Sequence, residues 1–183
     1  MPSLTRPVAI DRLSRQRLLA LDPSARADLL LDVWGLADNH PEFAGLPLAL
    51  RQSLLDQPEP AEDAQDPRYD ELLLIALRAQ YHGVTARYLS RCLAEAGSGT
   101  HQVEGPIEPM LACPCCGYLT LGTRGEYEIC DLCHWEDDGS QAPDVYSGPN
   151  HMTLAQAQDH FIRHQSDLDL DKWPRALNAP ADG

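Results

Sequence analysis

Two Cys-x-x-Cys pairs, Cys113/Cys116 and Cys130/Cys133, stand thirteen residues apart and constrain this 183-residue chain more than any other feature. Two thiolates at i and i+3 grip one tetrahedral cation when the backbone turns sharply between them, and two such pairs close a four-sulfur shell. In Cys113-Pro114-Cys115-Cys116-Gly117, Pro114 stiffens the turn and Gly117 can take a positive φ past the second sulfur. In Cys130-Asp131-Leu132-Cys133-His134, a histidine holds the glycine's place, and His tolerates the left-handed region better than most side chains. Between the pairs, Tyr118–Leu121 and Glu126–Ile129 are β-prone runs separated by the turn residues Gly122-Thr123-Arg124-Gly125. The expected local structure is a zinc ribbon, two knuckles joined by a hairpin, with Zn²⁺ as cofactor.

The N-terminal half reads differently. Apolar residues recur at helical spacing from Pro7 to Leu21. Asp22-Pro23 supplies an N-cap and a first-turn proline for a second helix carrying Leu29, Leu30, Val33 and Trp34, which Asn39-His40-Pro41 is expected to end. A third helix should follow Pro47, a fourth should run from about Tyr69 to Gln80, and Thr85 should cap a fifth ending near Gly97. Residues 57–68 are acidic and proline-rich, which reads as a solvated loop. Beyond the cysteines, Thr153 and Gln156 form a capping-box pattern for a last helix. The expected fold class is mainly α with a small β zinc ribbon: an N-terminal helical domain over 1–105, then a ribbon region with a C-terminal helix and tail over 106–183.

Charge is distributed unevenly along a chain whose formal net charge is −14. Residues 106–183 hold thirteen acids against four bases, whereas residues 72–105 come to only +1. A Zn²⁺ held by four thiolates would add about two negative charges to the acidic half. No apolar run approaches the length of a membrane span, and Met1 to Ala20 has no apolar core of a secretory signal. Paired thiols without an export signal favour metal over disulfides, so the expected compartment is the cytoplasm.

The segments CPCCGYLTL (113–121), YEICDLCHWEDDG (127–139) and GPN (148–150), with the Leu-Ala-Gln-Ala-Gln run that follows, taken in this order, resemble the bacterial cysteine-rich CPCC family. The resemblance covers roughly residues 113–161 and implies a small zinc-binding module. The family's pattern usually carries a proline inside the second knuckle, where this chain has Asp131. The first knuckle is also similar to that of rubredoxins, which would place iron in the same shell; the short spacer favours zinc.

A shell of four thiolates leaves the metal no open position, so the ion cannot activate water, and the expected function is non-enzymatic. Trp135, Glu136, Asp137 and Asp138 read as a contact surface, an aromatic anchor flanked by charge, suited to a basic protein partner. Acidity and the bacterial resemblance together suggest an immunity protein that neutralises a basic toxin. Two alternatives compete. Arg78, Arg87 and Arg91 on a helix pair joined by His82-Gly83-Val84-Thr85 would suit a nucleic-acid-binding regulator, against which the small positive charge argues. Glu136, Asp137 and Asp138 would serve a metal-dependent enzyme, although no nucleophile or phosphate-binding loop accompanies them. Cys115 reads as a small side chain filling its turn, or as a spare thiol that senses oxidants.

Overall fold

Leu72, Leu73, Leu74 and Ile75 form an unbroken apolar run, and a helix that is apolar all round must be covered on every side. The computed structural model, which describes residues 2–61 and 63–176, covers it so. Helix α4 (Asp70–Ala79) packs against α1 (Arg6–Ala20) and α2 (Pro23–Val33), and its Leu72, Leu73, Leu74 and Leu77 are buried. Burying each of these side chains contributes about 2 kcal/mol. Trp34, Phe43, Leu46, Tyr69 and Leu50 of α3 (Leu48–Asp56) belong to the same core, with Trp34 edge-on to Tyr69 at 5.8 Å. The Asp22 carboxylate accepts from the Ala25 N–H as the N-cap of α2. That helix ends at Val33, earlier than Asn39-His40-Pro41 suggested, because Trp34 and Leu36 turn back onto Leu31 and Val33 through tight backbone bonds.

The acidic loop before α4 is not left wholly to solvent. The buried Arg26 guanidinium donates to the Ala64 carbonyl at 2.6 Å, the Asp66 carbonyl at 3.2 Å and the Asp70 carboxylate at 2.7 Å. At the chain start, β1 (Ser3–Thr5) pairs in parallel with β2 (Gln102–Glu104). These elements belong to one unit, Met1–His82 with Leu89–Glu104. A second unit comprises Gly83–Tyr88 with Gly105–Gly183. No described helix is long and apolar enough to cross a membrane.

The second unit contains β3 (Leu111–Ala112), β4 (Leu119–Leu121), β5 (Tyr146–Ser147), β6 (Met152–Thr153) and α6 (Leu154–His164). Two antiparallel pairs form, β3 with β4 and β5 with β6. The capping box of α6 is complete: Thr153 Oγ1 accepts from the Gln156 N–H and the Gln156 side chain accepts from the Thr153 N–H. α5 (Ala86–Glu95) starts where expected, with Thr85 Oγ1 accepting from the Tyr88 N–H.

The hairpin expected between Tyr118–Leu121 and Glu126–Ile129 does not form. β4 pairs upstream with β3, so the first knuckle sits inside its own hairpin. Ile129 bridges Glu136, the Tyr127 N–H donates to the Asp137 carbonyl and the Asp137 N–H to the Glu128 carbonyl, so the second knuckle is closed by its own local pairing too. Two local facts redirect the chain. Tyr127 takes φ +61°, which breaks an extended run, and the Glu128 carboxylate accepts from the Gly122 and Thr123 N–H groups, folding the intervening loop back. The class, helices plus a cysteine ribbon, holds; the pairing inside the ribbon is local.

Candidate metal centre

Each knuckle is built from the same backbone bonds. In the first, the Gly117 N–H donates to the Cys113 carbonyl and the Cys113 N–H to the Tyr118 carbonyl, both at 2.9 Å. In the second, the His134 N–H donates to the Cys130 carbonyl and the Cys130 N–H to the Trp135 carbonyl, again at 2.9 Å. Gly117 at φ +76° and His134 at φ +61° occupy the left-handed positions that the sequence assigned to them. This turn throws both sulfurs of each pair to one side.

The four sulfurs meet. Cys113, Cys116, Cys130 and Cys133 bring their Sγ atoms within 4.8 Å of one another, the sole group of three or more His, Cys, Asp or Glu ligand atoms gathered this closely among the described residues. Cys113 Sγ lies 3.6 Å from Cys133 Sγ, and Cys116 Sγ 3.7 Å from Cys130 Sγ. Four sulfurs at about 2.3 Å around a tetrahedral ion stand about 3.8 Å apart, so the residues present fit such an ion. All six cysteines of the chain are free of disulfides.

Electrostatics agree with the geometry. Four adjacent thiols cannot all ionise without a counter-charge. Cys130 is pushed far below the usual thiol range by hydrogen bonds from Cys113 and then Cys116 and Cys133, whereas Cys116 is pushed far above it as it shares protons with Cys113, Cys130 and Cys133. A divalent cation held by the four sulfurs would take the place of those protons. Thr120 Oγ1 stands 3.0 Å from Cys130 Sγ, where its hydroxyl can donate to a thiolate. Such outer partners orient ligands and were not singled out in the sequence, because a threonine in a β-prone run carries no distinguishing signal.

Three further attachments hold the knuckles. Gln158 on α6 donates to the Pro114 carbonyl at 2.9 Å, and Phe161 of the same helix lies edge-on to Tyr118 at 6.2 Å. The segment after α6 adds itself to the first knuckle: the Leu119 N–H donates to the Pro174 carbonyl, the Ala176 N–H to the Gly117 carbonyl, and Trp173 is buried. Asn150 clamps the second knuckle, accepting from the Glu136 N–H and donating to the Glu136 carbonyl and to Ser147 Oγ. From residue 177 onward, the tail lies outside the described residues.

Residues 111–166 match the family described as Cysteine-rich CPCC. The CPCC match therefore takes in β3, both knuckles, the Asn150 clamp and α6, somewhat more than the motifs alone marked out. No curated protein and no solved structure matches the chain. The CPCC segment and its four-cysteine cluster together point to metal binding.

The residues expected at a partner surface divide. Trp135 and Asp137 are interior, at 2% and 0% exposure, which corrects their assignment to an accessible patch. Trp135 is drawn in because its backbone closes the second knuckle. Asp137 is drawn in because its Oδ2 accepts from Arg124 Nε at 2.7 Å and from the Gly125 N–H at 2.8 Å, fastening the loop between the knuckles. Glu136 and Asp138 remain half-exposed. Asp138 accepts from Ser147 Oγ at 2.6 Å and from the Ser140 N–H, which hold its carboxyl below the usual range. The Asp137 and Asp138 carboxylates thus take separate structural partners instead of converging on a reacting centre. The arginines of the nucleic-acid alternative are likewise engaged: Arg78 with Glu42 and Asp11, Arg87 with Asp171, Arg91 with Glu95.

Proposed function

We propose that the chain is a non-enzymatic zinc protein whose ion staples the second unit and which acts by binding a basic protein, as an immunity protein neutralising a bacterial toxin would. The observation that carries the zinc reading is the spacing of the four sulfurs, close to the edge of a tetrahedral thiolate shell. Zinc suits four thiolates in a reducing compartment such as the cytoplasm, and with its shell closed it contributes folding energy in place of chemistry. Native mass spectrometry should find one zinc ion per chain. Apoprotein, or a red ferric protein, would overturn this assignment.

The partner reading draws on charge and exposure. Residues 106–183 carry thirteen acids against four bases. Around the second knuckle, Tyr127 and Ile129 are exposed at 60% and 57%, with Glu126 and Asp131 also exposed beside them in sequence. Together with Glu136 and Asp138 they offer aromatic and aliphatic anchors among carboxylates, the composition that recognises a cationic protein face. Association should be fast and should weaken as salt screens it over a Debye length of about 8 Å at physiological ionic strength. Capture from the source cell at low salt should recover a basic protein with a toxic activity that the chain suppresses. Recovery of the same proteins by a Tyr127→Ala, Glu126→Gln, Asp131→Asn variant would remove this surface from consideration.

A further inference from the structure

The chain has a fifth thiol at its metal centre. Cys115 is buried between the ligand Cys116 and the turn-forming Pro114, and it shares a cavity lining with the ligand Cys133 from the other knuckle. Cys133 is itself the least buried of the four ligands; the other three are buried. Both thiols line one open cavity of about 470 Å³ between the second knuckle and α6, whose walls include Leu132, Trp135 and Phe161. A filler side chain needs neither a neighbouring ligand sulfur nor a path from solvent. Cys115 has both.

We propose that Cys115 and Cys133 form a peroxide-sensitive pair whose disulfide releases the metal. This rests on the reading of the four cysteines as a zinc site. The cavity admits hydrogen peroxide, which oxidises the Cys115 thiol to a sulfenic acid with release of water. The Cys133 thiolate leaves the metal, attacks the Cys115 sulfur and displaces hydroxide. In sum, one thiol, one thiolate and one peroxide give one disulfide, one water and one hydroxide; the two sulfurs lose two electrons and the peroxide gains them. The ion is left with three thiolates and an open position, and a shell so depleted lets it go. Cys115, Cys116 and Cys130 do not offer an equivalent pairing from the same cavity, since neither Cys116 nor Cys130 lines it.

The test compares the full zinc-loaded chain with its Cys115→Ser and Cys115→Ala variants, after native mass spectrometry has established the zinc content of each. Hydrogen peroxide is then added in the presence of a chromophoric zinc chelator. Release from the unmodified chain should be about tenfold faster than from either variant, and peptide mapping of the first oxidised product should find a Cys115–Cys133 crosslink that a thiol reductant reverses. Equal release rates, or a first crosslink joining other cysteines, would overturn the inference while leaving the zinc site standing. A chain that carries no zinc would fail the zinc reading itself, and the inference with it.

Discussion

In the first knuckle the residue after the second cysteine is Gly117 and in the second it is His134, yet both sit at positive φ and both close the same pair of backbone hydrogen bonds. The first is the better insulated. Its sulfurs are buried, Gln158 and Phe161 of α6 cover it, and the segment through Pro174 and Ala176 bonds to its strand. The second presents the half-exposed Cys133 to a cavity and depends on polar clamps, Asp137 with Arg124 and Asn150 with the Glu136 backbone. The contrast shows that the two knuckles share a shape set by the same backbone bonds, whereas their side-chain surroundings differ, one covered by a helix and the other lining a cavity.

The largest effect that would break this comparison is loss of a buried ligand. Cys130→Ser should abolish metal retention and the cooperative unfolding of the second unit, since structural zinc supplies on the order of 10 kcal/mol in small thiolate sites. Metal analysis and hydrogen exchange over residues 105–176 would read it. Cys133→Ser, at the exposed corner, should keep weak, exchangeable binding; equal behaviour of the two variants would erase the distinction between knuckles.

Next in size is the clamp of the second knuckle. Asp137→Ala leaves Arg124 and the Gly125 N–H without their acceptor and should cost about 3 kcal/mol, read as a lowered denaturation midpoint. Gln158→Ala, which removes one neutral bond from the first knuckle, should cost about 1 kcal/mol. Exchanging the left-handed residues sharpens the comparison further. Gly117→Ala should destabilise by about 1–2 kcal/mol, because an L side chain is strained there, and His134→Gly should be neutral or stabilising by up to about 1 kcal/mol.

The smallest effect is on pH dependence. Asp138 is held below its ordinary value, foremost by Ser147, so its contribution is present at pH above the unfolded carboxyl value near 3.9 and is lost as pH falls through the lower folded value. Ser147→Ala should therefore lower stability at pH 6, with the gap to the unmodified chain closing in acid. Urea melts of both proteins across that range would test it, and a gap that widens in acid would have the wrong sign.

Much of the second unit was legible because its determinants are local. Cysteine spacing specified the knuckles, Gly117 and His134 their left-handed closures, and Thr153 with Gln156 the capping of α6; each depends on residues within five positions of one another. The helices before the cysteines were similarly readable from Asp22-Pro23, Thr85 and the apolar run of α4. The β runs misled because propensity does not choose a partner: Glu126–Ile129 bonded to the segment Trp135–Asp137, with Tyr127 breaking the extended backbone.

Spacing and turn chemistry alone thus determined that this chain gathers thiols in pairs, since a knuckle needs only its own few residues. Tertiary structure decided how the two pairs face each other, that Trp135 and Asp137 lie inside while Tyr127 and Ile129 lie outside, and that Cys115 and Cys133 line one cavity. Those outcomes depend on contacts such as Arg124 with Asp137 and Leu119 with Pro174, between residues separated by thirteen or more positions. A local pattern cannot record which of many distant partners a buried charge or an unpaired strand edge will take, because that choice is made by the free energy of the whole packed unit.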